Sequence, residues 1–106
     1  MNCSRVDHGS TVTLKIRGEL DALSAPELRP ILDQVVEDQP RHVVVDLSDL
    51  RLVDSSGVGA LVSLYKRVRA RGGAVSVRGL KDQPLAIFRL LKLERVMSPE
   101  AAAAAA

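Results

Sequence analysis

The chain has 106 residues, a length that allows one domain with one hydrophobic core. Its net charge is only +2, and with one Tyr, one Phe and no Trp it lacks the basic field and the stacking side chains of nucleic-acid-binding proteins. A single cysteine excludes an internal disulfide and a thiolate zinc cluster. The apolar runs are shorter than the roughly 20 residues that cross a bilayer, and the N-terminus lacks the apolar core of a signal peptide. We therefore expect a cytoplasmic protein without membrane insertion.

The first predicted elements form a β-hairpin. Residues 5–8 predict a short strand, and Gly9-Ser10 is a two-residue turn signal. Residues 11–17 alternate apolar with polar side chains, as a half-buried strand does. Residues 18–21 are predicted to leave that strand as a loop.

A helix and a buried strand are predicted next. Ser24-Ala25-Pro26-Glu27 matches a capping box with a proline in the first turn, where its missing N–H costs nothing. The helix is expected to end at Gln39-Pro40. Its inner face carries apolar residues three and four positions apart: Leu28, Ile31, Leu32, Val35 and Val36. The β-branched run 42–47 is typical of a strand covered on both faces, usually a parallel one.

The second half of the chain continues the alternation of helix and strand. A second helix is expected after the segment 54–59, ending at Gly72-Gly73. A strand over residues 74–78, a third helix from Asp82-Gln83-Pro84 and a last short strand over residues 94–97 follow. The inward-facing residues of the two helices are predicted to be Val58, Leu61, Val62, Tyr65 and Val68, and Leu85, Ile87, Phe88 and Leu91.

This order of elements predicts a single α/β domain over residues 1–106. It consists of a small mixed sheet of about five strands, mostly parallel after the N-terminal hairpin, packed with three or four helices. Residues 98–106 contain a helix start at Ser98-Pro99-Glu100 and then six alanines, which favour a short C-terminal helix. The alanine tract is low in complexity and indicates no function.

The segment Asp54-Ser55-Ser56-Gly57-Val58-Gly59 lies where a strand is predicted to end and a helix to begin. Free N–H groups and the positive end of the helix dipole meet at such a place, and Asp and Ser oxygens accept those N–H bonds. Gly57 and Gly59 have no Cβ, so another molecule can approach the backbone closely. The pattern fits an ordinary N-cap with a tight turn, and it also fits a site for an anionic group or a partner.

The usual enzyme motifs are missing around this segment. No phosphate-binding Gly-Lys-Ser/Thr sequence occurs, and Val62 stands where a dinucleotide fingerprint needs its third glycine. Val53 stands where a nucleophile elbow needs a glycine. The two histidines are His8 and His42, and His42 is predicted to be a structural residue at the start of a buried strand. We expect no catalytic residue, no cofactor and no metal, and a protein that is not an enzyme.

The order of elements and the Asp-Ser-Ser-Gly turn together resemble the STAS family, and within it the stand-alone bacterial anti-sigma factor antagonists. The likeness covers about residues 5–97. The stretches that carry it are Ile16-Arg17-Gly18-Glu19-Leu20-Asp21, Val43-Val44-Val45-Asp46-Leu47-Ser48, Val53-Asp54-Ser55-Ser56-Gly57-Val58-Gly59, Gly72-Gly73 and Leu90-Leu91-Lys92-Leu93-Glu94-Arg95-Val96. The last of these fits the closing strand of the family.

The resemblance implies a protein that is switched by phosphorylation. In this family an anti-sigma factor that is also a serine kinase phosphorylates the first serine after the aspartate, which here is Ser55, beside Asp54 and Asp21. The unphosphorylated form binds that kinase and releases a sigma factor, and a serine phosphatase restores it. Ser56 competes as the acceptor, although capping of the helix also explains it. Asp21 can equally stabilise its own turn.

The expected partner-binding surface also includes Gly57 and Gly59 and three residues of the second helix: Ser63, Lys66 and Arg67. A merely solvated helix face explains the last three as well. The free protein is expected to be monomeric and to contact no nucleic acid directly. Two alternatives remain open. One is a STAS accessory subunit of an ABC-type lipid transporter, or another regulatory scaffold, that is not phosphorylated. The other is a nucleotide-binding sensor, supported only by the glycine-rich helix start.

Overall fold

A computed structural model describes residues 1–97, which form a mixed sheet and three helices. In chain order the elements are β1 (Asn2–His8), β2 (Thr11–Leu20), α1 (Ala25–Glu37), β3 (His42–Asp46), β4 (Leu50–Val53), α2 (Ser55–Ala70), β5 (Ala74–Arg78) and α3 (Asp82–Leu90). The five strands run in the order β1-β2-β3-β5, with β4 paired to the end of β2. The predicted α/β class is confirmed, while the helix predicted within residues 98–106 lies outside the described residues.

The N-terminal hairpin and the parallel core of the sheet follow the prediction. Gly9-Ser10 joins β1 to β2, with His8 opposite Thr11, and Gly9 has the positive φ of +61° that such a turn requires. Strand β1 is antiparallel to β2, whereas β2, β3 and β5 are mutually parallel. The connections between the parallel strands run through α1 and α2, as in a βαβ unit.

The loop predicted over residues 18–21 is wrong, because β2 continues as far as Leu20. The extension pairs in parallel with β4 (Leu50–Val53), a strand that the sequence analysis does not predict. The register shifts between Gly18 and Glu19, and Gly18 has a φ of +88° there. A glycine absorbs this irregularity because it has no Cβ to oppose a positive φ.

The core lies between the sheet and the pair of helices α1 and α2. Strand β2 contributes alternate residues to it, and α1 buries Leu28, Leu32, Val35 and Val36 as its spacing predicts. In α2 the fully buried side chains are Leu61 and Leu64, whereas Val62 and Tyr65 are only half-buried. The inner face of α2 is therefore rotated slightly from the predicted one. Almost all of the core is aliphatic, with Phe88 as its one buried aromatic side chain among residues 1–97.

Helix α3 packs against β4 and is tied to it by a side-chain amide. The Oε1 of Gln83 accepts from the N–H of Val53 at 2.9 Å, and its Nε2 donates to the Val53 carbonyl at 2.9 Å. A neighbouring strand would make the same two hydrogen bonds. Gln83 thus covers part of the free edge of β4.

The predicted last strand over residues 94–97 is wrong. The N–H of Met97 donates to the carbonyl of Leu93 at 2.8 Å, so the chain turns back instead of extending. Met97 is nevertheless fully buried, which accounts for the apolar pattern there. Leu91, predicted to face inward, is 48% exposed, because α3 ends at Leu90 and the chain changes direction. Within residues 1–97 we find no helix with the length and apolarity needed to cross a membrane.

Candidate functional site

The junction between β4 and α2 is built around Asp54. Its backbone is extended and α2 begins at the next residue. Its Oδ1 accepts a hydrogen bond from the N–H of Gly57 at 3.0 Å, and its carbonyl accepts from the N–H of Val58 at 2.9 Å. Asp54 is therefore the N-cap of α2, where a carboxylate also complements the helix dipole.

Asp54 also connects this junction to the loop between β2 and α1. Its Oδ2 accepts from the N–H of Ala22 at 3.1 Å, and its own N–H donates to the carbonyl of Leu20 at 3.1 Å. These bonds bring the loop that contains Asp21 beside the first turn of α2. The two segments that the sequence analysis singles out, 21–24 and 54–59, therefore lie side by side at one end of the sheet.

Within that loop, Asp21 is bound by its own neighbours. Its Oδ1 accepts from the N–H groups of Leu23 and Ser24, both at 3.0 Å. The Ser24 hydroxyl accepts from the N–H of Asp21 at 2.9 Å and lies 3.0 Å from the Glu19 carbonyl oxygen, to which it donates. The backbone N–H of Ser24 first, and then its hydroxyl, which lies 3.1 Å from Oδ1 of Asp21 and shares its proton between that oxygen and the Glu19 carbonyl, lower the pKa of Asp21 below its ordinary value. Asp21 therefore stabilises its turn, whatever else it contacts.

The predicted capping box at residues 24–27 is wrong in its chemistry. Ser24 is the N-cap residue of α1, but its hydroxyl makes no capping hydrogen bond. The side chain is only 8% exposed and is engaged with the loop that precedes it. The helix begins with Pro in its first turn, as predicted.

Ser55 and Ser56 present their hydroxyls differently from Ser24. Both residues are exposed, in the first turn of α2. Among residues 1–97 neither hydroxyl takes part in a hydrogen bond. Helical periodicity places Ser55 on the same face as Gly59 and Lys66, which follow it by four and eleven positions. Ser56 lines a groove between α1 and α2, and Gly59 borders both this groove and the face that carries Ser55.

The groove has a volume of about 450 Å³ and runs along both helices. Helix α2 supplies Ser56, Gly59 and Ser63 to it, while Arg29 and Asp33 come from α1. A Cβ added at Gly59 would have no heavy atom within 4 Å, so the backbone there is open to a neighbouring molecule.

Gly57 differs from Gly59 and corrects part of the sequence analysis. It is buried, and a Cβ there would lie 2.6 Å from Cγ2 of Val53 and 2.7 Å from the carbonyl oxygen of Leu20. The expectation that a partner approaches the backbone at Gly57 is wrong, because the strand ends fill that space. Gly57 lets α2 pack directly against β4 and β2.

The remaining predicted residues of α2 are not equivalent. Ser63 and Lys66 are exposed, whereas Arg67 is half-buried and its Nη1 donates to Oδ1 of Asp33 at 2.8 Å. Arg67 therefore joins α2 to α1, and its Nε is buried without a hydrogen-bond partner. Ser63 and Lys66 remain accessible to a partner, and Ser63 lines the groove between α1 and α2.

Leu23 is a surface residue that the sequence analysis does not identify. It is 88% exposed in the loop beside Asp21, the most exposed large apolar side chain among residues 1–97. An apolar residue just before a capping sequence commonly folds back onto the helix, so the position of Leu23 in the sequence does not predict its exposure. Here it points away from the core, in the loop whose Ala22 N–H is bound by Asp54.

The two histidines do not contribute to this site. His42 lies on β3, where its Nε2 is 2.7 Å from the Oγ of the buried Ser76 on β5. His8 ends β1 at the hairpin. Across residues 1–97 no three His, Cys, Asp or Glu side chains are grouped so that they could hold a metal ion.

Comparison with known proteins identifies relatives along nearly the whole chain. A family model described as "Mlab, STAS domain" matches residues 3–99. The anti-sigma-B factor antagonist of Bacillus subtilis (strain 168) is 30% identical over 86 residues, which cover 81% of this chain and 78% of that protein.

Solved structures share the fold. An anti-sigma factor antagonist from Mycobacterium paratuberculosis superposes with a TM-score of 0.84 at 24% identity, covering 92% of this chain and 83% of the other. The phosphorylated form of the Bacillus cell fate determinant SpoIIAA gives a TM-score of 0.73 at 19% identity, covering 89% of this chain and 86% of the other.

Proposed function

Because this chain belongs to the STAS domain family, we propose that it is an anti-sigma factor antagonist controlled by phosphorylation of Ser55. In the unphosphorylated state it binds an anti-sigma factor that is also a serine kinase, and so frees a sigma factor. Phosphate on Ser55 ends this binding, and a serine phosphatase restores it. The protein works by binding and has no catalytic residue of its own.

The observation that carries the proposal is the state of the Ser55 hydroxyl. It is exposed, it makes no hydrogen bond within residues 1–97, and it lies in the first turn of a helix. A kinase needs a hydroxyl that it can reach without unfolding its substrate. Ser55 meets this requirement, as Ser56 also does, and Ser55 is the first serine after Asp54, the position that the family resemblance implies. The adjacent loop with Asp21 and the exposed Leu23 offers a surface for the enzyme to hold.

The helix start also tolerates the product of the reaction. Phosphate adds about −1.5 to −2 charges. The N–H groups and the dipole at a helix N-terminus favour an anion, so the fold need not open to accommodate it. The effect therefore falls on the partner surface.

The size of that effect is sufficient for a switch. Two unit charges about 4 Å apart interact by about 4 kcal/mol at an effective dielectric constant of 20. A partner surface adapted to Asp54 and to an uncharged hydroxyl would lose roughly 100- to 1000-fold in affinity, at about 1.4 kcal/mol per tenfold. Steric exclusion by the phosphate acts in the same direction.

The comparisons support the proposal at the level of the family. The curated relatives carry the name anti-sigma-B factor antagonist. A protein with the same fold has been solved in a phosphorylated form. We extend these properties to this chain, and with them a cytoplasmic location and a monomeric free state.

Mass spectrometry after incubation with the anti-sigma kinase of the same organism and ATP tests the acceptor. We expect one phosphate, located on Ser55, and none on Ser55→Ala. Ser56→Ala is the matched control, because the Ser56 hydroxyl is one residue away, is also exposed, and faces the groove. Phosphate retained on Ser55→Ala but lost from Ser56→Ala would move the site to Ser56.

A pull-down with Ser55→Ala and Ser55→Asp as baits tests the consequence. Ser55→Ala should retain the anti-sigma kinase, and Ser55→Asp should lose it by at least tenfold. If both baits instead retain the ATPase subunit of a transporter, and Ser55 of the unsubstituted chain is never phosphorylated, the chain is an accessory subunit of an ABC-type lipid transporter.

Filling the groove tests where the partner lies. Gly59→Leu adds a side chain in open space, so it should leave the fold intact and weaken kinase binding by at least tenfold. Arg51→Ala is the control, since Arg51 is 77% exposed on β4 and away from the groove. Equal kinase binding by Gly59→Leu and the unsubstituted protein would place the partner elsewhere.

A further inference from the structure

The end of α3 and the turn after it expose three aliphatic side chains. Leu90 is 78% exposed, Leu91 48% and Val96 47%. Single exposed leucines are ordinary on protein surfaces, but a local group of them marks an interaction site. None of the three contributes to the junction at Asp54.

Cations alternate with these aliphatic residues. Arg89, Lys92 and Arg95 line a cavity of about 230 Å³ together with Glu94. The Nε of Arg89 lies 3.4 Å from Oε2 of Glu94. The lining therefore carries three positive charges and one negative charge, and it favours an anion.

The helix dipole explains only part of this arrangement. A cation near a helix C-terminus is favourable, which accounts for Arg89 in the last turn of α3. It does not account for Arg95, which lies beyond the helix, or for the exposed leucines between the cations. Exposed leucine and valine that neighbour exposed lysine and arginine in the sequence are typical of segments that lie at a bilayer interface.

We propose that this surface, the α3 tip (Arg89–Lys92 with Arg95 and Val96), binds the surface of a bilayer that contains anionic phospholipid. The aliphatic side chains enter the boundary between headgroups and acyl chains. The cations contact the lipid phosphates. This inference is independent of the phosphorylation of Ser55 and adds a membrane surface to the partners of the domain.

The charges set the expected strength. Each Lys or Arg near an anionic membrane surface contributes about fivefold to binding, so the net two positive charges that remain after Glu94 is subtracted contribute roughly 25-fold. Salt weakens this contribution, because the Debye length falls from about 10 Å at 0.1 M to about 3 Å at 1 M. Binding at the α3 tip is therefore reversible and depends strongly on ionic strength.

Cosedimentation of the full chain with phospholipid vesicles tests the proposal. We expect binding to vesicles of phosphatidylglycerol and phosphatidylcholine in equal parts, and at least tenfold less to phosphatidylcholine alone or at high salt. Lys92→Glu with Arg95→Glu should reduce binding to the anionic vesicles at least tenfold. Leu90→Ser with Leu91→Ser should also reduce it, and the loss should persist at low salt.

Two control variants match these changes elsewhere on the surface. Arg51→Glu reverses a charge that is 77% exposed on β4, and Val6→Ser removes an aliphatic side chain that is 60% exposed on β1. Both should bind vesicles like the unsubstituted chain. Thermal unfolding of every variant shows whether it is folded, and Leu90→Ser alone replaces the double variant if that one unfolds.

Several results would overturn the proposal. Equal binding to neutral and anionic vesicles, no binding to either, or equal losses in the controls would each do so. Inorganic phosphate that shifts the amide NMR signals of the α3 tip, without vesicle binding, would indicate a site for a free anion only. Saturable binding to polyglutamate but not to vesicles would indicate an acidic protein partner instead.

Discussion

The first turns of α1 and α2 are made from the same residue types and serve opposite purposes. Each begins beside an aspartate and a serine, and the two are joined by the hydrogen bond from Ala22 to Asp54. At α1 the serine is 8% exposed and its hydroxyl both accepts and donates within the loop. At α2 the serines are exposed and their hydroxyls are not hydrogen bonded within residues 1–97.

The difference shows how the hydrogen bonds of a serine hydroxyl decide whether the residue has a structural role or is available for modification. A hydroxyl that already satisfies buried backbone groups cannot be modified without breaking the loop. A hydroxyl that satisfies none is available to another enzyme. In α2 the aspartate takes over the capping, which leaves Ser55 and Ser56 unoccupied.

Removing the serine hydroxyl at the start of α1 and at the start of α2 should distinguish the two helix starts most clearly, because the free energy of unfolding should change only at α1. Ser24→Ala leaves the N–H of Asp21 and the carbonyl of Glu19 without their partner, so we expect a loss of about 3 kcal/mol in the free energy of unfolding. Ser55→Ala should change that free energy by less than about 0.5 kcal/mol. Urea unfolding measures both, and equal losses would contradict the comparison.

Two glycines in the first turns of α2 extend this comparison between structural and accessible positions. Gly57→Ala introduces a Cβ at 2.6 Å from Val53 and 2.7 Å from the backbone of Leu20, and should cost about 2 kcal/mol. Gly59→Ala adds a Cβ in open space within the same helix and should stabilise it by about 0.5–1 kcal/mol. Opposite signs in urea unfolding are expected. If Gly57→Ala is instead stabilising, Val53 and Leu20 at the strand ends can move to make room for the added Cβ.

The capping role of Asp54 predicts a smaller effect. Asp54→Ala removes the acceptor for the N–H groups of Gly57 and Ala22, and should cost about 1 kcal/mol. Asp54→Asn keeps an acceptor oxygen and should recover part of that loss. If Asp54→Ala is as stable as the unsubstituted chain in urea, water accepts the hydrogen bonds of the Gly57 and Ala22 N–H groups equally well.

Acidity should affect the α1 start least and in a defined direction. Hydrogen bonds from Ser24 lower the pKa of Asp21 below its ordinary value of 3.8. The ionised form is thus favoured in the folded state. Its stabilisation is complete above that ordinary value and is lost as the pH falls through the lower folded pKa. Asp21→Asn should flatten this acid limb of the stability curve, and NMR titration of the Asp21 carboxyl should give a pKa below 3.8. A titration at or above that value would contradict the expectation.

The sequence predicts those elements that carry their own local signal. The hairpin at Gly9-Ser10, the helix from Ala25 to Glu37 and the strand that begins at His42 each show a turn, a spacing or a β-branched run. The cap at Asp54 follows from the same kind of local rule. These features depend on neighbours in the chain, which a sequence displays directly.

The errors have long-range causes. The end of β2 and the whole of β4 stabilise each other by pairing across 30 residues or more, and neither has a strand pattern by itself. Gly18 suggests a loop, and Leu50–Val53 is only four residues long with an exposed arginine. The burial of Gly57 likewise depends on Leu20 and Val53, which reach it only in the folded chain. The exposure of Leu23 is likewise not visible locally, since the sequence does not show which side of the loop faces the core.

The amide of Gln83 has a consequence for the ageing of the protein. It donates to the Val53 carbonyl and accepts from the Val53 N–H, as a strand would. Deamidation to glutamate would keep the acceptor but place a carboxylate oxygen against that carbonyl. The edge of β4 would then be open to a strand from another molecule, which is the first step of edge-to-edge aggregation. A single chemical lesion, unrelated to the modification of Ser55, would thereby convert a protected sheet edge into one that can pair with another molecule.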